Sequence, residues 1–312
     1  MNCDQPLKLA PHHDIPVGQW PMENINSSVS SHVMSTWTPG NTKYNTPLIT
    51  HGDGIYLFDA HGNRYIDWTS QAVCANLGHT VPECVIEATM KQMRELPYLY
   101  GGLGVSEIRA RMSRLMAEIM PGDLEGMVFP SSGSEANEAA IMMARRYTGK
   151  FKVMSFYRSY HGCTGNALQA TGDFRRATFG GDHVPGFVKM FNQFPIRWEH
   201  EGATEEEKCQ NSLNMLEEQI QYEDPNTIAC LTMEPVVGAR GVIVPTTQYM
   251  QGVRALCDKY GILLHFDEVM TGFGRTGKLF AFQNFDGVIP DIVTAAKVRF
   301  SKFEINMKTT RF

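Results

Sequence analysis

The stretches GILLHFD at residues 261–267 and DIVTAAK at residues 291–297 give the clearest indication of the fold. Each is a short apolar run, which is typical of a strand that is buried on both faces of a sheet. The first run ends in an acid, Asp267, and the second ends in an amine, Lys297. In parallel sheets ligands bind beyond the carboxyl ends of the strands, so these two side chains are candidates for a functional site.

Further strands and helices are predicted on the amino-terminal side of these two runs. The additional strands cover residues 127–129, 151–156 and 228–233. Apolar residues at helical spacing predict helices at residues 85–96, 108–119, 134–147 and 249–260. This alternation favours an α/β fold in which a mostly parallel sheet is covered on both faces.

Three stretches depart from this alternation. Residues 46–68 predict short strands around turns. Residues 174–195 are rich in Gly, Phe and Pro, and they predict an irregular surface segment. Residues 1–20 hold three prolines and no apolar signal core, which favours a cytoplasmic protein, with a mitochondrial one as the alternative.

The bulk composition excludes several classes of protein. The chain has 312 residues, 43% hydrophobic content and a net charge of −5, which argues against a general role in binding nucleic acid. It contains no apolar run of the ~20 residues that a membrane span requires. Its seven cysteines are scattered without Cys-x-x-Cys spacing, which favours free thiols over disulfides or a metal site.

The ends of the predicted strands bring polar groups to one edge of the sheet. Each has an ordinary alternative: Ser134 as a simple helix N-cap, Tyr160 and His161 as buried structural residues, Glu234 as an exposed turn residue, and Lys297 as a surface lysine. Asp267 and Glu268 are adjacent, so on a strand they point to opposite faces. We therefore expect one acid to face the site and the other to face a structural partner.

The acid and the amine together fit one kind of chemistry. A lysine amine forms a Schiff base with an aldehyde, and an acid keeps the nitrogen of a pyridine ring protonated so that the ring accepts electrons. Asp267 and Lys297 therefore suit a pyridine-aldehyde cofactor. The stretch Ser132-Gly133-Ser134 lies between a predicted strand and a helix that opens at Ser134, and the first N–H groups of such a helix can bind an anion such as a phosphate.

The glycines of GFGRTGKL at residues 272–279 partly match two nucleotide-binding motifs. Leu279 stands where the phosphate loop of NTPases requires Ser or Thr. The dinucleotide motif requires a helix after its glycines, and residues 279–287 predict no amphipathic helix. The sequence therefore favours neither motif.

Together these motifs resemble the class III, or ω-amino-acid, aminotransferases, which are fold type I enzymes that depend on pyridoxal phosphate. The similarity is carried by SGSEANEAA at 132–140, YHG at 160–162, EPVVG at 234–238, DEVMTGFGRTG at 267–277 and PDIVTAAK at 290–297. The resemblance implies transfer of an amino group from an ω-amino acid or primary amine to a 2-oxo acid by a homodimer.

The resemblance also implies a role for each candidate residue. Lys297 and Asp267 would be catalytic, as the Schiff-base lysine and as the partner of the ring nitrogen. Further cofactor contacts are implied for Gly133, Ser134, Tyr160, His161 and Val269. Contacts with the substrate are implied for Glu234 and Trp37.

A domain organisation follows from the same resemblance. Residues 1–30 are expected to form a disordered N-terminal arm, residues 31–75 the first part of a small domain, and residues 76–297 an incomplete large domain that binds pyridoxal phosphate. Residues 298–312 carry a net charge of +3 against −8 for the rest, and we interpret them as a tail outside the family pattern. For a chain truncated in this way, we expect transamination to be impaired. The alternative is that the chain is an inactive remnant or a regulatory partner of an intact aminotransferase.

Overall fold

A computed structural model describes residues 18–34, 47–178, 184–191, 202, 204–239 and 241–297, together with the backbone of 304–308. The chain divides into two compact units. One consists of Met1–Trp68 with Gly78–Thr80, and the other of Thr69–Leu77 with Val81–Phe312.

The first unit contains a helix and a small antiparallel sheet. Helix α1 spans Met22–His32, where the sequence predicted part of a disordered arm, and none of its residues is buried. The short strands that the sequence predicts here are present as β1 (Ile49–Asp53), β2 (Tyr56–Asp59) and β3 (Arg64–Ile66), and they pair antiparallel in this order. The candidate residue Trp37 lies outside the described residues.

The second unit alternates helices and strands. Its helices are α2 (Ser70–Val73), α3 (Glu83–Glu95), α4 (Glu107–Ile119), α5 (Gly133–Thr148), α6 (Gly165–Ala170), α7 (Phe174–Thr178), α8 (Glu205–Tyr222) and α9 (Thr247–Tyr260). Its strands are β4 (Leu124–Val128), β5 (Lys152–Phe156), β6 (Phe187–Met190), β7 (Ile228–Met233), β8 (Leu263–Glu268), β9 (Ile292–Ala295) and β10 (Glu304–Lys308). The predicted elements are therefore present within a few residues of their expected limits.

The strands of this unit form one seven-stranded sheet in the order β4-β10-β9-β8-β7-β5-β6. The five strands from β9 to β6 are parallel, which confirms the predicted α/β fold. β10 pairs antiparallel with both β4 and β9, although it comes from the tail that was placed outside the family pattern. The prediction of an irregular segment at 174–195 is wrong for Phe174–Thr178, which forms helix α7, and for Phe187–Met190, which pairs with β5 as strand β6.

The central strand β8 shows how the two faces of the sheet are used. Leu263 packs in a cluster with alanines of α5, whereas Leu264 and Phe266 pack in the larger cluster that includes residues of α9. Because side chains alternate along a strand, His265 and Asp267 point to the α5 side and Glu268 to the other side. The sequence of β8 thus presents Asp267 to the amino-terminal end of α5.

Other expectations from composition concern membranes, thiols and metals. None of the helices within the described ranges is long and apolar enough to cross a membrane. All six cysteines in those ranges are free, which agrees with the predicted thiols. No group of three or more metal-ligating side chains occurs in the same part of the chain.

Lys150 joins the loops that start two of the parallel strands. Its ammonium donates to the carbonyl oxygens of Pro225 and Gly261, at 3.0 Å each, before β7 and β8. We expect Lys150→Met to lower the free energy of unfolding by about 1–3 kcal/mol, because these carbonyls lose a charged donor. Chemical denaturation measures the change. The exposed lysine control, Lys278→Met, should change it by less than about 0.5 kcal/mol, and equal effects would contradict this role for Lys150.

Candidate active site

Three elements meet around the carboxylate of Asp267 at the carboxyl edge of the sheet. His161, which follows β5, approaches Asp267 Oδ2 with its Nδ1 at 2.7 Å. Asn137 of α5 donates from Nδ2 to the same oxygen at 2.8 Å. The backbone N–H of Val269 donates to Oδ1 at 3.0 Å. The loop after β5, helix α5 and the end of β8 therefore converge on a single acid.

Hydrogen bonds from His161 and Val269 help to keep this acid ionised. Asp267 is only 3% exposed, and burial by itself raises its pKa. The hydrogen bond and charge of His161, with the N–H of Val269, outweigh burial, so the pKa of Asp267 lies below its usual value. Asp267 can therefore act as a buried negative charge and hydrogen-bond acceptor.

The adjacent acid has a structural role, as expected for the opposite face of β8. Glu268 accepts from the backbone N–H groups of Ala281 and Phe282 and from the hydroxyl of Thr271, at 2.8 Å each. Burial nevertheless raises the pKa of Glu268 to about 7. Glu268 therefore holds the segment after the glycine-rich turns, and these turns do not open the helix that a dinucleotide site requires.

The amino-terminal end of α5 lies beside Asp267. Ser132 caps the helix by accepting from the N–H of Glu135, as the alternative interpretation of this motif expected for a neighbouring serine. In the described part of the chain the N–H groups of Gly133 and Ser134 have no acceptor. A helix start with such groups can bind an anion.

Two glycines allow very close packing at this helix start. A Cβ on Gly133 would lie 3.0 Å from Cγ1 of Val269, so Val269 packs directly on the glycine. Gly162 has φ +138°, and a Cβ there would lie 2.5 Å from Oγ of Ser134. Larger side chains at either position would displace residues of the candidate site.

Tyr160 is half-buried at the same edge. The guanidinium of Arg175 lies over its ring at 3.8 Å from the ring centre. Burial raises the pKa of Tyr160 to about 12, so its hydroxyl stays protonated. Sequence reasoning did not identify Arg175, which lies in the segment that was predicted to be irregular.

Lys297 follows the end of β9 next to β8. Asp267 is in register with Thr294 and Glu268 with Ala295, two residues before Lys297. Lys297 is half-buried and has φ +60°, a backbone conformation that is uncommon for a residue with a side chain. Asp267 thus lies at the end of β8, and Lys297 follows the end of the adjacent parallel strand β9.

Glu234 is buried rather than exposed at a strand end. It is 4% exposed, and its carboxylate accepts from the N–H of Tyr160 and the N–H of Gly238, at 3.0 Å each. The alternative interpretation of Glu234 as an exposed turn residue is therefore wrong. Burial raises the pKa of Glu234 to about 7, so this acid changes its charge near neutral pH.

Sequence reasoning missed three polar residues behind Asp267. They are Asn137, His265 and Thr294, and each is at most 1% exposed. Asn137 lies among Ala136, Ala140 and Ala144 on the buried side of α5, and His265 lies inside the apolar run of β8. A polar residue inside a buried apolar pattern requires a hydrogen-bond partner, and this is the signal that identifies such positions.

Comparisons with known proteins point in one direction. Residues 39–310 match the family model described as Aminotransferase class-III, and this match includes most of the tail. A taurine–pyruvate aminotransferase of Rhodobacter capsulatus is 38% identical over 257 residues, which are 80% of this chain and 54% of that protein. A probable 4-aminobutyrate aminotransferase of Bacillus subtilis is 33% identical over 81% of this chain and 58% of its own length.

Solved structures give the same result. A taurine:2-oxoglutarate aminotransferase from Bifidobacterium kashiwanohense, in complex with PLP and glutamate, has a TM-score of 0.84 and 41% identity. The similarity covers 92% of this chain and 65% of that one. The chain thus spans a little over half the length of the curated relatives and about two thirds of this structural neighbour.

The raised pKa of Glu234 predicts a pH dependence of stability. The folded protein keeps this proton up to about pH 7, whereas the unfolded chain loses it near 4.5. Its contribution to the free energy of unfolding therefore falls by roughly 3 kcal/mol as pH rises through this window. Glu234→Gln lacks this contribution, so its stability should fall less than that of the wild type in denaturation series from pH 4.5 to 7.5. Parallel curves for the two proteins would refute the assignment.

Proposed function

Because this chain belongs to the class III aminotransferase family, we propose that the protein is a transaminase that uses pyridoxal phosphate. It would move the amino group of an ω-amino acid or another primary amine to a 2-oxo acid. The observation that carries the proposal is the ionised, buried carboxylate of Asp267 at the end of the strand adjacent to Lys297.

The residues at this edge suit the cofactor in three respects. Asp267 is an acceptor with a lowered pKa, which matches a ring nitrogen that must stay protonated. The available N–H groups of Gly133 and Ser134 suit its phosphate. Gly133 leaves no room for a side chain beside Val269, so an apolar surface lies directly next to the anion site.

Each residue has a defined task in this proposal. Lys297 would hold the aldehyde carbon of the cofactor, while Val269 and Tyr160 would contact the two faces of its ring. When bound, the cofactor supplies a protonated ring that accepts the electrons left on the amino-bearing carbon of a substrate. We assign two steps to Lys297 Nζ. It would take the proton from that carbon, and it would then deliver this proton to the aldehyde carbon of the cofactor.

His161 and Asn137 support this chemistry through Asp267. Both donate to Oδ2, so they hold the carboxylate in one orientation and oppose its protonation. A charge that is fixed before the reaction stabilises charge that develops during it without further rearrangement. His161 thereby contributes to cofactor binding without contacting the substrate.

The substrates are proposed by analogy with the relatives. Their names include taurine and 4-aminobutyrate as amines and pyruvate and 2-oxoglutarate as acceptors. Taurine and 4-aminobutyrate carry an amine at one end and an acid group at the other. Glu234 lies at the same edge of the sheet, and we propose that it acts on the substrate side of the site, as the family resemblance implies.

Covalent binding at Lys297 tests the proposal. The purified protein incubated with pyridoxal phosphate and reduced with borohydride should gain one cofactor mass on the peptide that contains Lys297. Lys297→Ala should abolish this modification and lower amine transfer from taurine or 4-aminobutyrate to pyruvate or 2-oxoglutarate by at least about 10³-fold, since the nucleophile and base are removed together.

The exposed lysine variant Lys278→Ala is the matched control, and it should retain both modification and transfer. A folded wild-type protein without modification at Lys297 would refute the cofactor assignment. Modification without transfer to any 2-oxo acid would support cofactor binding and refute the transaminase assignment.

We also propose that the protein forms a homodimer that covers an apolar side of α3. Ile86, Met90 and Met93 share this side at helical spacing, and their exposed fractions are 40%, 43% and 59%. Replacing Met90 and Met93 with Lys should shift the protein towards monomer in sedimentation velocity, because burying two charges opposes association. Met215→Lys, at an exposed methionine of α8, should leave the dimer intact, and an unchanged dimer in the α3 variant would refute this interface.

A further inference from the structure

A continuous row of buried polar groups leads from the interior of the sheet to Asp267. Its members lie on β7, β8, β9 and α5, and each is at most 1% exposed apart from Asp267 itself at 3%. In order they are Cys230, Thr232, His265, Thr294, Asn137 and Asp267. The mechanism described above uses only the last two.

The direction of the hydrogen bonds is fixed at Asn137. Its Nδ2 donates both to Asp267 Oδ2 at 2.8 Å and to the carbonyl oxygen of His161 at 2.7 Å. A flipped amide would turn its oxygen towards these two acceptors, which is unfavourable. Oδ1 of Asn137 therefore faces Thr294, and it accepts the hydroxyl hydrogen of Thr294 at 2.7 Å.

This direction continues through the imidazole of His265. The hydroxyl of Thr294 has used its only hydrogen, so it can only accept from Nε2 of His265 at 3.2 Å. Burial lowers the pKa of His265 to about 3, so the ring is neutral and carries its hydrogen on Nε2. The bare Nδ1 then accepts from the hydroxyl of Thr232 at 3.1 Å.

The row ends at a thiol. The hydroxyl of Thr232 donates to His265, so towards Cys230 Sγ at 3.8 Å it can only accept. Burial raises the pKa of Cys230 to about 11, so this thiol keeps its hydrogen. Every hydrogen in the row therefore points towards Asp267.

We propose that Thr294, His265 and Thr232 are positioning residues that act on the cofactor through Asn137 and Asp267. Resting on the proposed function, this inference adds that a one-way chain of donated hydrogen bonds fixes the amide of Asn137 and strengthens its bond to the carboxylate that holds the ring nitrogen. Aligned hydrogen bonds polarise one another, so each donor in the row makes the next a better donor.

The test compares two cofactors that differ only at the atom concerned. One is pyridoxal phosphate, and the other is its analogue with CH in place of the ring nitrogen. The ratio of their dissociation constants measures how well Asp267 holds the nitrogen. Thr294→Val keeps the size of the side chain but removes the donor to Asn137, and it should reduce the preference for pyridoxal phosphate by about fivefold.

Two variants separate positioning from simple damage to the fold. Thr294→Ser restores the hydroxyl and should restore the preference. Thr271→Val removes an equally buried hydroxyl of the same region, but one that donates to Glu268 on the other face, so it should leave the ratio unchanged. An unchanged ratio in Thr294→Val would overturn the inference while the function stands. Failure of the wild type to bind either compound would refute the function and, with it, this role of the row.

The tautomer of His265 provides an independent test without substitution of Thr294. In the wild-type protein labelled with ¹⁵N-histidine, NMR should show His265 with its hydrogen on Nε2 and without titration between pH 5 and 8, and His265→Gln identifies its signal. A hydrogen on Nδ1, or a charged ring in this pH range, is incompatible with hydrogen bonds that all point towards Asp267. Either result would overturn the inference, even if Thr294→Val did not fold.

Discussion

A carboxylate that remains ionised while almost fully buried is the constraint on which the rest of the site depends. Removing such a charge from water costs several kcal/mol, and the cost must be offset by donors with good geometry. Asp267 receives these donors from the loop after β5, from α5 and from the end of its own strand. The positions of these elements relative to one another are therefore set by the requirement of a single acid.

Meeting that requirement demands close approach of a helix to the sheet. Asn137 has a short side chain, so α5 must lie near β8 for its amide to reach Asp267. Ala136, Ala140 and Ala144 are fully buried on the inner side of α5 and allow this approach. Gly133 against Val269 and Gly162 against Ser134 extend the same close packing to the helix start. The small residues here therefore allow polar side chains to reach their partners, in addition to packing in the core.

The sequence predicts what depends on local pattern and misses what depends on distant partners. Strand β7 is predicted at residues 228–233 and is observed there, because five of its six residues are apolar. Phe187–Met190 was missed, since four residues in a Gly- and Pro-rich segment become a strand only by pairing with β5. An exposed turn was left open as the alternative for Glu234 and is wrong, because its carboxylate accepts from the N–H groups of Tyr160 and Gly238. No local sequence pattern indicates these two partners.

The neighbouring acids Asp267 and Glu268 show how two adjacent carboxyl groups can have pKa values shifted in opposite directions. Both are buried and both accept three hydrogen bonds, yet the pKa of Asp267 is lowered and that of Glu268 is raised. For Glu268 burial outweighs its three neutral donors, and the nearby charge of Asp267 raises its pKa further, whereas Asp267 has an imidazole as one of its donors. Alternation along β8 assigns each acid to its own face, so a shift of the strand by one residue would exchange a structural acid with a functional one.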